Sequence, residues 1–185
     1  KSGNTWLRFL VYNYLILLIN PNQDKTISFE MLNKLQNNVM DRGTTFLNQK
    51  GFPLIYRTHK IYKKTYDLFD KKIFIHRNPL DTLISSYYFY KNRQIPFSDE
   101  PKSIREKLHE IDYYVLYKID YWINYYNTSV KHADFIINYS NLKNDCENQL
   151  SQLVKFLDLN LDQSIIKKSV KMSSFKKIKK MSEEK

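Results

Sequence analysis

Three short apolar runs, Leu54–Thr58, Ile73–Arg77 and Phe135–Asn138, each read as a strand, and helix-like segments lie between and after them. Helices are expected over about Thr5–Ile19, Ser28–Asn38, Ile61–Phe69, Pro79–Lys91, Asp112–Lys131, Asn141–Leu157 and Asp162–Val170. Alternating β and α units predict an α/β fold, a parallel sheet with helices on both faces, and so a three-layer sandwich. In such sheets ligands collect outside the carboxyl ends of the strands. His59, Arg77 and Tyr139 each stand at or just after a predicted strand end. With no internal repeat and no long Pro/Gly/Ser linker, residues 1–185 are expected to form a single domain.

The first helix is preceded by Lys1-Ser2-Gly3-Asn4-Thr5-Trp6. A glycine turn feeding a helix start leaves backbone N–H groups without partners, and the helix dipole favours an anion there. Lys1 adds a mobile charge, while Asn4 and Thr5 add side-chain donors for a phosphate. This is a phosphate or sulfate cradle of P-loop-nucleotide-hydrolase-like layout, but it is not a Walker A loop, because Gly-x-x-x-x-Gly-Lys-Ser/Thr is absent.

The run Lys72–Tyr90 carries the second signal. Asn78 suits an N-cap, Pro79 the first helical position and Asp81 the first turn. Arg77 therefore ends a strand, where its guanidinium can take a phosphate through two parallel hydrogen bonds. Its bland alternative is a surface ion pair with Asp81. Ser85 lies two turns into the helix, and neighbouring Ser86 makes its assignment depend on register.

Together these stretches resemble the cytosolic-type sulfotransferases that use 3′-phosphoadenosine 5′-phosphosulfate (PAPS). The family's Lys-Ser-Gly-Thr/Asn-Thr-Trp loop matches Lys1–Trp6. Its Arg-Asn-Pro-x-Asp with a helical serine matches Arg77–Asp81 and Ser85, and its Lys/Arg-Thr-His matches Arg57-Thr58-His59. Asp134–Lys143 is similar to its strand ending in Tyr-Glu-Asp-Leu-Lys, and Met172–Lys179 to its Thr-Ser-Phe-x-x-Met-Lys. The resemblance implies that Lys1, Ser2, Gly3, Asn4 and Thr5 hold the 5′-phosphosulfate, and that Arg77 and Ser85 hold the 3′-phosphate. It implies that His59 is the catalytic base, and that Trp6, Tyr139, Ser173 and Phe175 stand on the adenine side. For Trp6 the resemblance favours partial stacking over the alternative of a core anchor, while Phe175 reads equally well as core. Against the family pattern the chain lacks a first strand before Lys1 and an Arg-Lys-Gly segment after Lys185, so a fragment of a larger protein, incomplete at both ends, is expected.

The implied reaction is sulfonate transfer from PAPS to a hydroxyl or amine on a small-molecule or glycan acceptor, leaving 3′,5′-adenosine bisphosphate (PAP). Lys1 would neutralise charge on the leaving side, with no metal required. The alternatives are a P-loop nucleotide kinase-like enzyme and a non-catalytic nucleotide-binding module. The net charge of +11 invites a nucleic-acid reading, but an anionic cofactor also wants a basic site. The lysines of Lys167–Lys180 form either a solvated helix face or an anion-attracting rim. The single cysteine, Cys146, has no disulfide or metal-ligand companion, and a reducing cytoplasm is the expected compartment. The apolar run Trp6–Ile19 contains Arg8 and Asn13 and is too short and polar to span a bilayer. Tyr87, Tyr88, Tyr90, Tyr113, Tyr114, Tyr117 and Tyr121 either line an acceptor pocket or pack helices.

Overall fold

The computed structural model describes residues 3–35, 37–38, 53–58 and 67–183. It is a mixed α/β chain, mostly helical, whose described strands pair in parallel. The described residues divide into two compact units. One holds Gly3 and residues 67–140; the other holds residues 4–35, 37–38, 53–58 and 141–183.

In the second unit, α1 (Asn4–Ile19) is followed by α2 (Phe29–Leu35), β1 (Asn37–Asn38) and β2 (Tyr56–Arg57). The predicted helix to Asn38 thus stops at Leu35. Asn37 and Asn38, poor helix formers, pair instead with Tyr56 and Arg57 in a parallel ladder. The predicted strand Leu54–Thr58 is correspondingly short. The predicted helix Ile61–Phe69 falls largely outside the described residues, and Asp67–Leu68 form a turn. The expected helix Asn141–Leu157 is two helices, α5 (Tyr139–Asn144) and α6 (Cys146–Phe156), broken at Asp145; the first two residues of α5 belong to the other unit. Then come α7 (Gln163–Met172) and α8 (Phe175–Glu183). Asp162 caps α7, accepting from Ser164 N at 2.7 Å and Ile165 N at 3.1 Å.

Helix α1 is the core of this unit, with Arg8–Leu15 and Leu17 all buried. Its polar members are bonded. Asn13 donates to Thr26 Oγ1 and to Ser173 Oγ, each at 2.8 Å, and accepts from Ile27 N at 3.1 Å. Ser169 of α7 donates to the Leu10 carbonyl at 2.8 Å. Such bonds let Asn13 and its neighbours lie inside the domain in a helix apolar on most faces. No described helix is long and apolar enough to cross a membrane. At the start of α6, burial and the neighbouring Glu147 and Asp145 push the Cys146 thiol up to about 11, so it stays protonated at neutral pH.

The first unit is built on β3 (Ile73–His76) and β4 (Phe135–Asn138), which pair in parallel from Ile73↔Phe135 to His76↔Asn138. The register is set at their starts. Asp134 N and Phe135 N both donate to the Lys72 carbonyl, at 2.8 and 3.1 Å. Lys72 N returns a bond to Asp134 Oδ2 at 2.7 Å, and the two side chains pair at 3.1 Å. Helix α3 (Pro79–Asn92) follows β3, with Asn78 capping it through bonds from Leu80 N at 2.9 Å and Asp81 N at 3.4 Å. Short 3₁₀ turns at Lys102–Ile104 and Lys107–His109 lead into α4 (Ile111–His132). Tyr87, Leu108 and Tyr114 form a buried cluster, flanked by Phe97, Ile104, Ile111 and Tyr113. Full burial of a side chain such as Leu108 contributes about 1.5–3 kcal/mol. Tyr87, Tyr113 and Tyr114 are thus packing residues. Tyr117 stacks on Tyr113 at 6.3 Å and bonds Glu100.

His76 lies within this sheet, its ring 5.9 Å from Phe74 and 5.2 Å from Tyr126. Burial holds its imidazole below the ordinary histidine range. The unfolded chain then binds the extra proton first, so stability falls as pH drops below about 6.5, until the folded-state histidine also titrates. Thermal melts from pH 7.5 to 5 are expected to show a shallower acid loss in His76→Phe than in wild type. Identical slopes would assign that loss to other groups.

Candidate functional site

Because β3 and β4 run parallel and in register, His76 opposite Asn138, the residues that leave them emerge side by side. These are Arg77 and Tyr139. The Arg77 guanidinium carbon sits 5.0 Å from the centroid of the Tyr139 ring, a cation–π arrangement. The same ring packs against Gly3. A Cβ built on Gly3 would overlap Tyr139 Cδ2, stand 2.8 Å from Cε2, and meet Ile75 Cδ1 at 3.5 Å. Gly3 also holds φ at +90°, where side chains are strained. Residues from three separate motifs, at positions 3, 77 and 139, therefore meet in one place.

Arg77 donates from Nε to Asp81 Oδ2 at 3.2 Å, and its second pairing atom lies 3.1 Å from the same oxygen. The ion pair expected as the bland alternative is real. It engages one edge of the guanidinium and leaves donors for a second acceptor. With Asp81 about half exposed the pair is worth about 0–1 kcal/mol, enough to orient Arg77 but not to commit it. Ser85 stands one helical turn beyond Asp81. The two serines differ in their surroundings: Ser86 Oγ bonds the Tyr114 hydroxyl at 3.0 Å, while the half-buried Ser85 hydroxyl has no hydrogen-bond partner among the described residues.

In the second unit, Asn4, Thr5 and Trp6 form the first turn of α1, with Thr5 exposed. Trp6 Nε1 donates to the Ser173 carbonyl at 2.9 Å. Ser173 is wholly buried, and its hydroxyl accepts from Asn13, so its side chain faces the core. Phe175, by contrast, opens α8 with 63% of its surface exposed, which favours a surface role over the core alternative. β2 carries Arg57 and leads into Thr58. Lys1, Ser2 and His59 lie outside the described residues. Among the described residues no group of three or more His, Cys, Asp or Glu side chains is placed to hold a metal ion.

One charged residue drew no role from the sequence. Arg8, in the second turn of α1, is only 8% exposed. It donates to Asn33 Oδ1 at 3.3 Å and reaches the Leu32 carbonyl at 3.5 Å, but its Nε has no partner. The only signal available was a cation interrupting an apolar run.

A family model described as a sulfotransferase domain matches residues 1–185. Among curated proteins, the chain is 25% identical over 210 residues to cytosolic sulfotransferase 15 of Arabidopsis thaliana, covering 98% of this chain and 56% of that one. It is 25% identical over 190 residues to human sulfotransferase 2A1, covering 97% and 64% respectively. Cytosolic sulfotransferase 14 of Arabidopsis thaliana matches at the same identity over 215 residues, covering 98% and 59%. The chain thus spans less than two thirds of the length of each of these relatives.

Proposed function

The chain belongs to the sulfotransferase domain family, and from that premise we propose that it transfers a sulfonate group from PAPS to a hydroxyl or amine acceptor. The carrying observation is the meeting of Gly3, Arg77 and Tyr139 at the carboxyl ends of β3 and β4. A loop glycine whose missing side chain is filled by a ring, beside an arginine with donors to spare, suits an anionic nucleotide. In this reading Arg77 and Ser85 hold the 3′-phosphate, while Lys1, Ser2, Gly3, Asn4 and Thr5 hold the 5′-phosphosulfate. Tyr139, Trp6 and Phe175 border the adenine, and Ser173 acts from behind by anchoring Trp6. PAPS supplies the activated sulfonate. His59 takes the acceptor proton, and Lys1 stabilises the charge left on the departing phosphate oxygen. The complete fold is then a three-layer P-loop-like sandwich, and the cytoplasm, as the names of two relatives say of them, is its compartment.

PAP is expected to raise the melting temperature of the protein more than 5′-AMP does, because only PAP carries the phosphate assigned to Arg77. Arg77→Ala should erase that difference, weakening PAP by roughly 10–100-fold for charge-assisted bonds of about 1.5–3 kcal/mol. Equal shifts from the two nucleotides in wild type would remove the 3′-phosphate assignment. An unchanged PAP dissociation constant in Arg77→Ala would return Arg77 to its ion pair.

A further inference from the structure

Arg8 is a cation in the wrong place for a helix by itself. It stands one turn from the start of α1, where the dipole already makes the potential positive and favours anions. It is more than nine-tenths buried. No carboxylate pairs with it among the described residues, and its Nε has no acceptor. Its nearest charged influence is a second cation, Arg57, which likewise has no ion pair among the described residues. Burial first, and then Arg57, hold the Arg8 guanidinium down at about 10, against a smaller opposing effect of Tyr12. It is therefore still charged at neutral pH, and the folded protein bears that charge at a cost.

We infer that Arg8 is a positioning residue whose buried, unneutralised charge strengthens the grip of the α1 N-terminus on an oxyanion, without touching it. The inference rests on the sulfotransferase reading for the identity of that oxyanion, the 5′-phosphate side of the nucleotide. A charge held in a poorly solvated interior is screened little, so it reaches a ligand at the helix start more effectively than a surface lysine would. The bonds to Asn33 and to the Leu32 carbonyl fix the guanidinium in that place. The arrangement exchanges stability of the unliganded protein for affinity, and that exchange separates it from an ordinary structural arginine.

The test is calorimetric titration of the full chain, as wild type, Arg8→Met and Arg8→Lys, with PAP, inorganic pyrophosphate and adenosine, together with melts of the unliganded proteins. Arg8→Met should weaken PAP and pyrophosphate by roughly tenfold, the order expected for losing one nearby unit charge at an effective dielectric near 20. Adenosine binding should stay within about twofold, and Arg8→Lys should restore most of the anion affinity. The unliganded Arg8→Met protein should melt no lower than wild type. Unchanged anion affinity in Arg8→Met overturns the inference, as does equal weakening of adenosine. So does a Met variant that fails to fold while Arg8→Lys folds with anion affinity already lost. A wild type that ignores PAP but binds pyrophosphate in an Arg8-dependent way defeats the PAPS reading and leaves the Arg8 assignment standing.

Discussion

His59→Ala in the full-length protein is expected to lose about 10²–10⁴ in turnover, the usual contribution of a positioned general base, while PAP affinity stays close to wild type. The split follows from geometry of the reaction. A base on the acceptor side of the sulfur touches the incoming hydroxyl, not the nucleotide phosphates. Imidazole is the side chain suited to taking a hydroxyl proton at neutral pH. With a phenol as acceptor the variant should recover rate at high pH, where the phenolate needs no base. Transfer of labelled sulfonate from PAPS to phenols, alcohols and amines, measured for both proteins across pH, reads this directly. A variant as fast as wild type at neutral pH, on an acceptor where chemistry limits the rate, would take His59 out of the mechanism.

Gly3→Ala is expected to weaken PAP by roughly 10²-fold while the strand pair beneath it stays folded. Two effects combine. The backbone at φ +90° disfavours a side chain by about 1–3 kcal/mol, and the new methyl would collide with the Tyr139 ring. The ring also carries the Arg77 guanidinium 5.0 Å from its centroid, so displacing it disturbs the arginine. Tyr139→Ala in the same chain removes the collision but not the backbone strain, so adding Gly3→Ala to Tyr139→Ala should cost less affinity than adding it to the wild type. Titration of PAP against the single and double variants decides it. Gly3→Ala binding as tightly as wild type would show that the loop geometry does not matter to the nucleotide.

The local signals were legible because each depends on neighbours in sequence. Asn78, Pro79 and Asp81 announced the start of α3, and the structure uses Asn78 as the cap. The strand at Ile73 and the strand at Phe135 stood out as short β-branched runs, and they pair as parallel partners. What was not legible depends on distant partners. Ser86 is engaged by Tyr114, 28 residues away. Ser173 reads as a cofactor contact from its motif, but Asn13, 160 residues earlier, claims its hydroxyl. Arg8 looks like an interruption in an apolar helix until its burial is known. Helix ends differ from expectation where Asn37 and Asn38 join a parallel strand pair and where Asp145, at φ −140° and ψ 63°, leaves helical geometry.

The clamp between Lys72 and Asp134 has a consequence for how such a chain can vary. It ties the two strands at the ends remote from Arg77 and Tyr139, and a slip of one residue there would turn every strand side chain to the opposite face. Between Arg77 and the clamp's second half lie more than fifty residues, including the turns around Pro96 and Pro101. That excursion can lengthen, shorten or exchange its surface residues while the ladder between β3 and β4 and the Lys72–Asp134 clamp keep Arg77 beside Tyr139. A lineage built this way can remodel whatever its long connection touches without disturbing the strand ends that carry Arg77 and Tyr139.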